Sequence, residues 1–301
     1  MKRSVSILGP DAAAEQAWRL CPGVERCAPG EAELVHLSLP HPEREKVAAR
    51  LASEGRGVLC RPPIARTPEA ILRLAAPGAR VQPFYPARFS PRYREIRSYV
   101  ARGYVGEPCI LRLTWIFPRE HGGPFVGLPA GEVDLLDDLV LQQIDLARWI
   151  VADRVESAKA QTASVRAGRD LAQVVLRFAC GALAFLECSL AADPAAEAAW
   201  LDLKGTKGIV TDRRLDGFEP VAAVYGSARG RPVRLAPEHP DWPAGSGRSV
   251  GFFFHVLDFC GVAHAERRSE PATGADDAAN LRVLEAVKAS LASDRSEEVA
   301  A

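Results

Sequence analysis

The chain has 301 residues, 38 of them basic and 38 acidic, with 48% hydrophobic and 25% charged positions. That balance leaves no global field to attract nucleic acid or an anionic membrane surface, and the length is ample for one large core or two ordinary ones. Seven cysteines stand singly, at 21, 27, 60, 109, 180, 188 and 260, with no CxxC pair; with an N-terminal apolar run too short for export, they point to reduced thiols in a cytoplasmic protein without a zinc knuckle.

The first eighty-odd residues alternate strand and helix. Val5–Leu8 reads as a strand, Ala12–Leu20 as a helix, Val24–Ala28 as a short strand and Leu34–Leu39 as another. Glu43–Ser53 is helical, Val58–Cys60 extended, Pro68–Ala75 helical and Val81–Phe84 extended. Strands separated by helices imply βαβ units and a parallel sheet. A helix over Pro91–Arg102 stops at Gly103, and strand Cys109–Phe117 opens a different regime. After a helix over Asp137–Val151 come strands at Val155–Ser164, Asp170–Phe178, Ala182–Ser189, Ala199–Gly205 and Gly208–Asp212. Helices over Phe252–His264 and Asp276–Leu291 close the chain. Runs of strands framed by helices predict an α+β domain with a large, mostly antiparallel sheet open on one face. The fold class is therefore α/β: a parallel-sheet domain over 1–86 followed by an α+β domain over 87–301. An open sheet with an apolar face commonly buries it against a second copy, so a homodimer is the default expectation.

Three stretches invite a chemical reading. In "VSILGPDAAAEQ" a strand meets glycine and then a helix, where a dinucleotide-binding fold cradles pyrophosphate on free N–H groups. Here Gly9 precedes Pro10, which has no N–H, and Asp11, whose charge repels phosphate. The stretch reads as a plain βα turn with Asp11 as N-cap. In "DLLDDLVLQQIDLARW" a helix would put Asp138, Gln142, Asp145 and Trp149 on one face. That face either lines a cleft or is a solvated one, with Asp138 complementing the helix dipole in the first turn. In "WIFPREHGGPFVG" a strand ends in Arg119, Glu120 and His121 before a glycine-rich loop; His121 is an acid/base candidate or a surface loop residue. The other histidines look structural: His36 sits inside a strand, His255 and His264 on a core-like helix, His41 and His239 in proline-flanked loops.

With these segments in order, the chain resembles the Gfo/Idh/MocA oxidoreductases over nearly its full length. "LVHLSLPHPERE" is similar to that family's strand, apolar-x-x-Pro turn and helix, and "GVLCRPPIARTPEA" to its "hVlcEKPla.t..eA" segment. "ARFSPRYREIRSYVARGYVGEP" follows the "RF.P......i..G.iGe" pattern through Arg88, Phe89, Pro91, Gly103 and Gly106. "DLLDDLVLQQIDLARWI" resembles "..L.D.G.H.iDl.rwl"; "LDLKGTKGIVTD", "FFFHVLDFCGVA" and "DDAANLRVLEAVKAS" resemble later sheet and helix segments. The resemblance implies an N-terminal Rossmann domain holding NAD(P), a C-terminal domain binding substrate and forming the dimer, and hydride transfer at a sugar or polyol carbon. In such proteins the lysine of E-K-P and the histidine of D-x-G-x-H handle the proton that hydride transfer leaves behind.

Carried onto this chain, E-K-P falls on Arg61-Pro62-Pro63 and D-x-G-x-H on Asp138-Leu139-Val140-Leu141-Gln142. The lysine position is Pro62 and the histidine position is Gln142, neither of which exchanges protons usefully; Arg61 is a permanent cation that orients anions. Only six lysines exist, and none lies near these motifs in sequence unless folding returns Lys159 or Lys204. The chain also passes from the second strand to "AELVHLSLP" with hardly a gap, so a helix and strand of the adenosine half are missing, leaving Gly9 as a degenerate cofactor position. No NAD(P) is expected in the family manner, although NAD(P) remains the cofactor if the family activity persists. Three functions follow. A cofactor-independent lyase, isomerase or cyclase would use Asp138, Gln142, Asp145 and His121 for chemistry on a small molecule in a specialised pathway, with Tyr85, Arg88, Arg119, Arg61 and Trp149 binding it. A non-catalytic subunit would pair with an active homologue through the sheet. An atypical NAD(P)-dependent oxidoreductase is the third.

Overall fold

The computed structural model describes residues 3–76, 78–119, 133–166, 168, 170–211, 223–226, 233–234, 250–261 and 270–300. In chain order the elements begin β1 (Arg3–Leu8), α1 (Ala12–Leu20), β2 (Val24–Arg26), β3 (Leu34–Leu37), α2 (Glu43–Ser53), β4 (Gly57–Cys60), α3 (Pro68–Leu74) and β5 (Val81–Pro83). A 3-10 turn over Pro86–Phe89 leads to α4 (Pro91–Ala101), β6 (Pro108–Ile116), a π-helical turn over Leu135–Val140 and α5 (Leu141–Val151). Then come β7 (Val155–Ala163), β8 (Leu171–Phe178), β9 (Leu183–Ser189), β10 (Ala198–Gly205), β11 (Gly208–Thr211), β12 (Ala223–Gly226) and β13 (Val233–Arg234). α6 (Val250–Phe259), α7 (Gly274–Ser293) and β14 (Glu297–Glu298) complete them.

A first compact unit runs to Ser90 and takes back α6 and the start of α7, through Arg282. A linear boundary at 86/87 gives those segments to the second domain. Their return follows from composition: Phe252, Phe254, Val256 and Leu257 of α6 join Val5, Trp18, Leu34, Leu59, Phe84 and Phe89 in one buried core. The unit's sheet is parallel throughout, in the order β2-β1-β3-β4-β5. Its central strands, Leu-Val-His-Leu and Gly-Val-Leu-Cys, are buried at every position, as strands covered on both faces must be. Asp11 caps α1 by accepting from the Ala14 N–H, and Thr67 caps α3 by accepting from Ala70, with Pro68 in its first turn.

The sheet's outer edge is cut short. β2 pairs with β1 only from Arg3 to Val5, whereas β3 follows β1 on the other side from Val5 to Leu8. Residues 27–33 alone carry the chain from one side of β1 to the other. A doubly wound sheet ordered 3-2-1-4-5-6 becomes this one when its third strand and the preceding helix are removed. The truncation read from the sequence is thus present, with β2 ending at Arg26 rather than Ala28.

The second unit holds α4, the nine-stranded sheet and the rest of α7. The sheet order is β13-β12-β11-β10-β6-β9-β8-β7-β14, with one parallel pair, β6 with β9, among antiparallel neighbours. Alternation sorts its faces. Leu111, Leu113, Trp115, Val174, Leu176, Leu186, Leu201 and Leu203 are buried, while Ile110, Val175, Leu183, Phe185 and Trp200 on the other face are half-buried. The segment expected as one helix over Asp137–Val151 is two pieces. Asp134 accepts from Leu136 and Asp137, starting the wide turn before the expected helix, and regular α geometry sets in at Leu141.

Candidate functional site

In an open parallel sheet, ligands lie beyond the carboxyl ends of the strands. At the ends of β1 and β3 this chain has a closed polar cluster. The buried Asp11 carboxylate receives the Ala14 N–H at 2.8 Å on Oδ1 and, on Oδ2, the Ser38 hydroxyl at 2.8 Å with His36 Nε2 at 3.2 Å. His36 is fully buried, its ring edge-on to Phe84 at 4.8 Å. Gly9 has φ +98° and lies so close that an added Cβ would stand 2.6 Å from the Ser38 carbonyl oxygen. Asp11 is the cap that the sequence predicts and His36 lies within β3 as expected, but the sequence does not single out Ser38 or the meeting of the three. Twenty-five residues or more separate these groups from Asp11, and only the β1–β3 register brings them together.

After β4, Pro62 and Pro63 are buried and Arg61 is half-buried. The buried Arg44 of α2 braces this loop, donating to the carbonyls of Pro63 at 2.9 Å, Pro62 at 3.3 Å and Leu39 at 2.6 Å, and to His41 Nε2 at 3.0 Å. Burial, then the Arg44 cation, pushes His41 down to about 4, so it is neutral at pH 7. Tyr85 and Arg88, read from the sequence as substrate contacts, face the start of α7. The Tyr85 hydroxyl donates to Asp277 at 2.7 Å, the other oxygen of Asp277 accepts from Ile64 N–H at 2.8 Å, and Arg88 reaches Asp276 at 3.5 Å. Tyr85 and Arg88 are almost wholly buried.

In the second unit, Asp138 lies in the π turn, buried, and its carboxylate accepts from the Asp134 N–H at 2.7 Å. This is a reciprocal cap: Asp134 holds the first N–H groups of the turn and Asp138 holds that of Asp134. Gln142 and Asp145 are also buried in α5, and Trp149 is half-buried. The neighbouring Gln143 bonds the carbonyls of Leu113 and Glu187. Of the two lysines singled out from the sequence, Lys159 pairs with Asp294 and Lys204 is exposed on β10. It is Lys288 that approaches, pairing with Asp137 on the exposed side of the turn. Arg119 is half-buried, and His121 lies outside the described residues.

A dinucleotide held in the Rossmann manner does not fit the first unit's residues. The place of its pyrophosphate, the N-terminus of α1, carries the Asp11 carboxylate. The strand that would present a ribose-binding acid stops at Arg26, level with Val5. Among the described residues no group of three or more His, Cys, Asp or Glu side chains could hold a metal ion, and no helix is long and apolar enough to cross a membrane.

Residues 93–211 match the model of the GFO/IDH/MocA C-terminal domain. Inositol 2-dehydrogenase of Corynebacterium glutamicum is 27% identical over 167 residues, 51% of this chain and 48% of that protein. The chain thus spans about half the length of the curated relatives it matches. Among solved structures, an oxidoreductase from Agrobacterium radiobacter in complex with NAD+, L-tartaric acid and magnesium superposes with TM-score 0.78 at 17% identity, covering 99% of both chains. A levoglucosan dehydrogenase in complex with NADH gives 0.76 at 17% identity over the whole of both. At such identities the likeness to the solved structures is one of fold.

Proposed function

The chain belongs to the Gfo/Idh/MocA oxidoreductase family, and from that premise we propose that it works on a small molecule without a nicotinamide dinucleotide. The observation that carries this reading is the truncated edge of the parallel sheet, where residues 27–33 replace a helix and a strand and β2 stops level with Val5. The names of its structural relatives mention NAD+ or NADH, so the reading separates this chain from them on its own residues. The chemistry left to it is proton transfer by carboxylates, in a lyase, isomerase or cyclase type of reaction. Asp138 and Asp145 supply the carboxylates and Gln142 an amide that orients substrate; all three are within α5 or the turn that leads into it. With Tyr85 and Arg88 engaged at the start of α7, these second-unit groups are the better candidates.

Nucleotide extraction tests the reading on the protein as purified. Heat-denatured protein should release no NAD(P), and release in stoichiometric amount would overturn it.

A second reading, an accessory subunit, is favoured by the open face of the nine-stranded sheet. Ile110, Val175, Leu183, Phe185 and Trp200 are half-buried there and Ile209 is 37% exposed. Such a face suits a second copy of this chain or an active homologue. Size-exclusion chromatography with light scattering separates the cases. A homodimer with turnover of its own leaves the enzyme reading in place, and a chain stable only beside an intact homologue favours the subunit.

A further inference from the structure

We infer that Asp11 is a resident anion: its carboxylate takes the position and the hydrogen-bond donors that a dinucleotide's pyrophosphate would need, so the chain neutralises its own phosphate site. The inference rests on the dinucleotide-free reading above and names the group that enforces it.

A helix N-terminus presents unsatisfied N–H groups and a partial positive charge, and that pair of properties is what holds phosphate after the first strand of a dinucleotide fold. In this chain a carboxylate already sits there. Asp11 Oδ1 takes the Ala14 N–H at 2.8 Å, and Oδ2 takes the Ser38 hydroxyl at 2.8 Å and faces His36 Nε2 at 3.2 Å. An ordinary N-cap is exposed and needs one acceptor atom. This one is 4% exposed and uses both oxygens, and the two additional partners come from the neighbouring strand. His36 is 0% and Ser38 2% exposed, and the Trp18 and Phe84 rings stand edge-on to the histidine. A buried imidazole and hydroxyl aimed at one oxygen form a small anion cradle whose occupant is covalently part of the chain. Gly9 packs directly against the Ser38 backbone, with no room for a Cβ beside the Ser38 carbonyl.

The substitution Asp11→Ser tests this without removing the cap, since serine is as good an N-cap as aspartate. It deletes the charge and leaves His36 and Ser38 facing an emptied position, while the serine hydroxyl keeps the Ala14 N–H. Calorimetric titration with inorganic pyrophosphate should show saturable, salt-sensitive binding to the variant, at least about tenfold tighter than to the unmodified chain. His36→Phe in the same background should abolish the gain. If Asp11→Ser does not fold, Asp11→Gly, an only slightly weaker cap that also empties the position, carries the same comparison. A folded variant that binds pyrophosphate no better than the parent would overturn the inference while leaving the dinucleotide-free reading standing on the shortened β2. Pyrophosphate binding by the unmodified chain as tight as by the variant would overturn it as well. Release of NAD(P) from the purified protein would instead defeat the parent reading.

Discussion

The hydroxyl of Tyr85 donates to the fully buried carboxylate of Asp277 at 2.7 Å, joining the residue before the 3-10 turn to the first turn of α7 across 192 positions of sequence. The second Asp277 oxygen takes the Ile64 N–H, so one carboxylate also fixes the loop that follows the arginine and two prolines. Tyr85→Phe removes one hydrogen-bond donor from a buried carboxylate. Equilibrium urea denaturation should show a loss of about 1–3 kcal/mol. A loss within measurement error would mean that this bond does not hold the first unit together.

Asp138 is at once a candidate catalytic carboxylate and a cap. Asp138→Asn keeps an oxygen that can accept from the Asp134 N–H, so its melting temperature should stay close to that of the parent. Asp138→Ala removes the acceptor and should cost about 1–2 kcal/mol in the same denaturation assay. Once a substrate is in hand, the asparagine variant should lose turnover, and retained turnover would assign Asp138 to structure alone.

Gly9 has no freedom to vary. Its φ of +98° disfavours any side chain, and the Ser38 backbone occupies the space a Cβ would take. Gly9→Ala should destabilise the first unit by about 1–3 kcal/mol, read as a lowered urea midpoint.

Acid should weaken the fold through two histidines. Burial holds His255 well below its ordinary 6.5, and burial with the Arg44 cation pushes His41 down to about 4. Both pKa values are depressed on folding, so below pH 6.5 the unfolded chain binds more protons than the folded one. Their contribution is therefore complete above pH 6.5 and is lost as the pH falls towards 4 and, for His255, beyond. Unfolding free energy measured at pH 5 should fall below that at pH 7.5. His41→Gln and His255→Gln together should flatten this dependence, and an unchanged slope would contradict the assignment.

Much of the fold was legible because its signals are local. Alternating apolar strands and capped helices placed β1 to β5, and the short gap between Arg26 and Leu34 disclosed the missing unit. The π turn before α5 was not legible, since an α-periodic reading of Leu135–Val140 fits the same apolar residues and the wide geometry depends on Asp134 and Asp138 capping each other. Nor did the sequence show that α6 packs with α1, because the hydrophobic run of Phe252–Phe254 says that it is buried and not against what. The polar clusters were hidden for a further reason: His36, Ser38 and Asp277 meet their partners only through strand register and helix docking. Residues that look like isolated structural positions in the sequence become Asp11's cradle and Tyr85's acceptor in the fold.

The central claim, a family scaffold working without a dinucleotide, is met most directly by isothermal titration of the purified chain with NADH and with NADPH. The account predicts no saturable heat for either. A saturable isotherm with Kd of about 1 μM or tighter would contradict it.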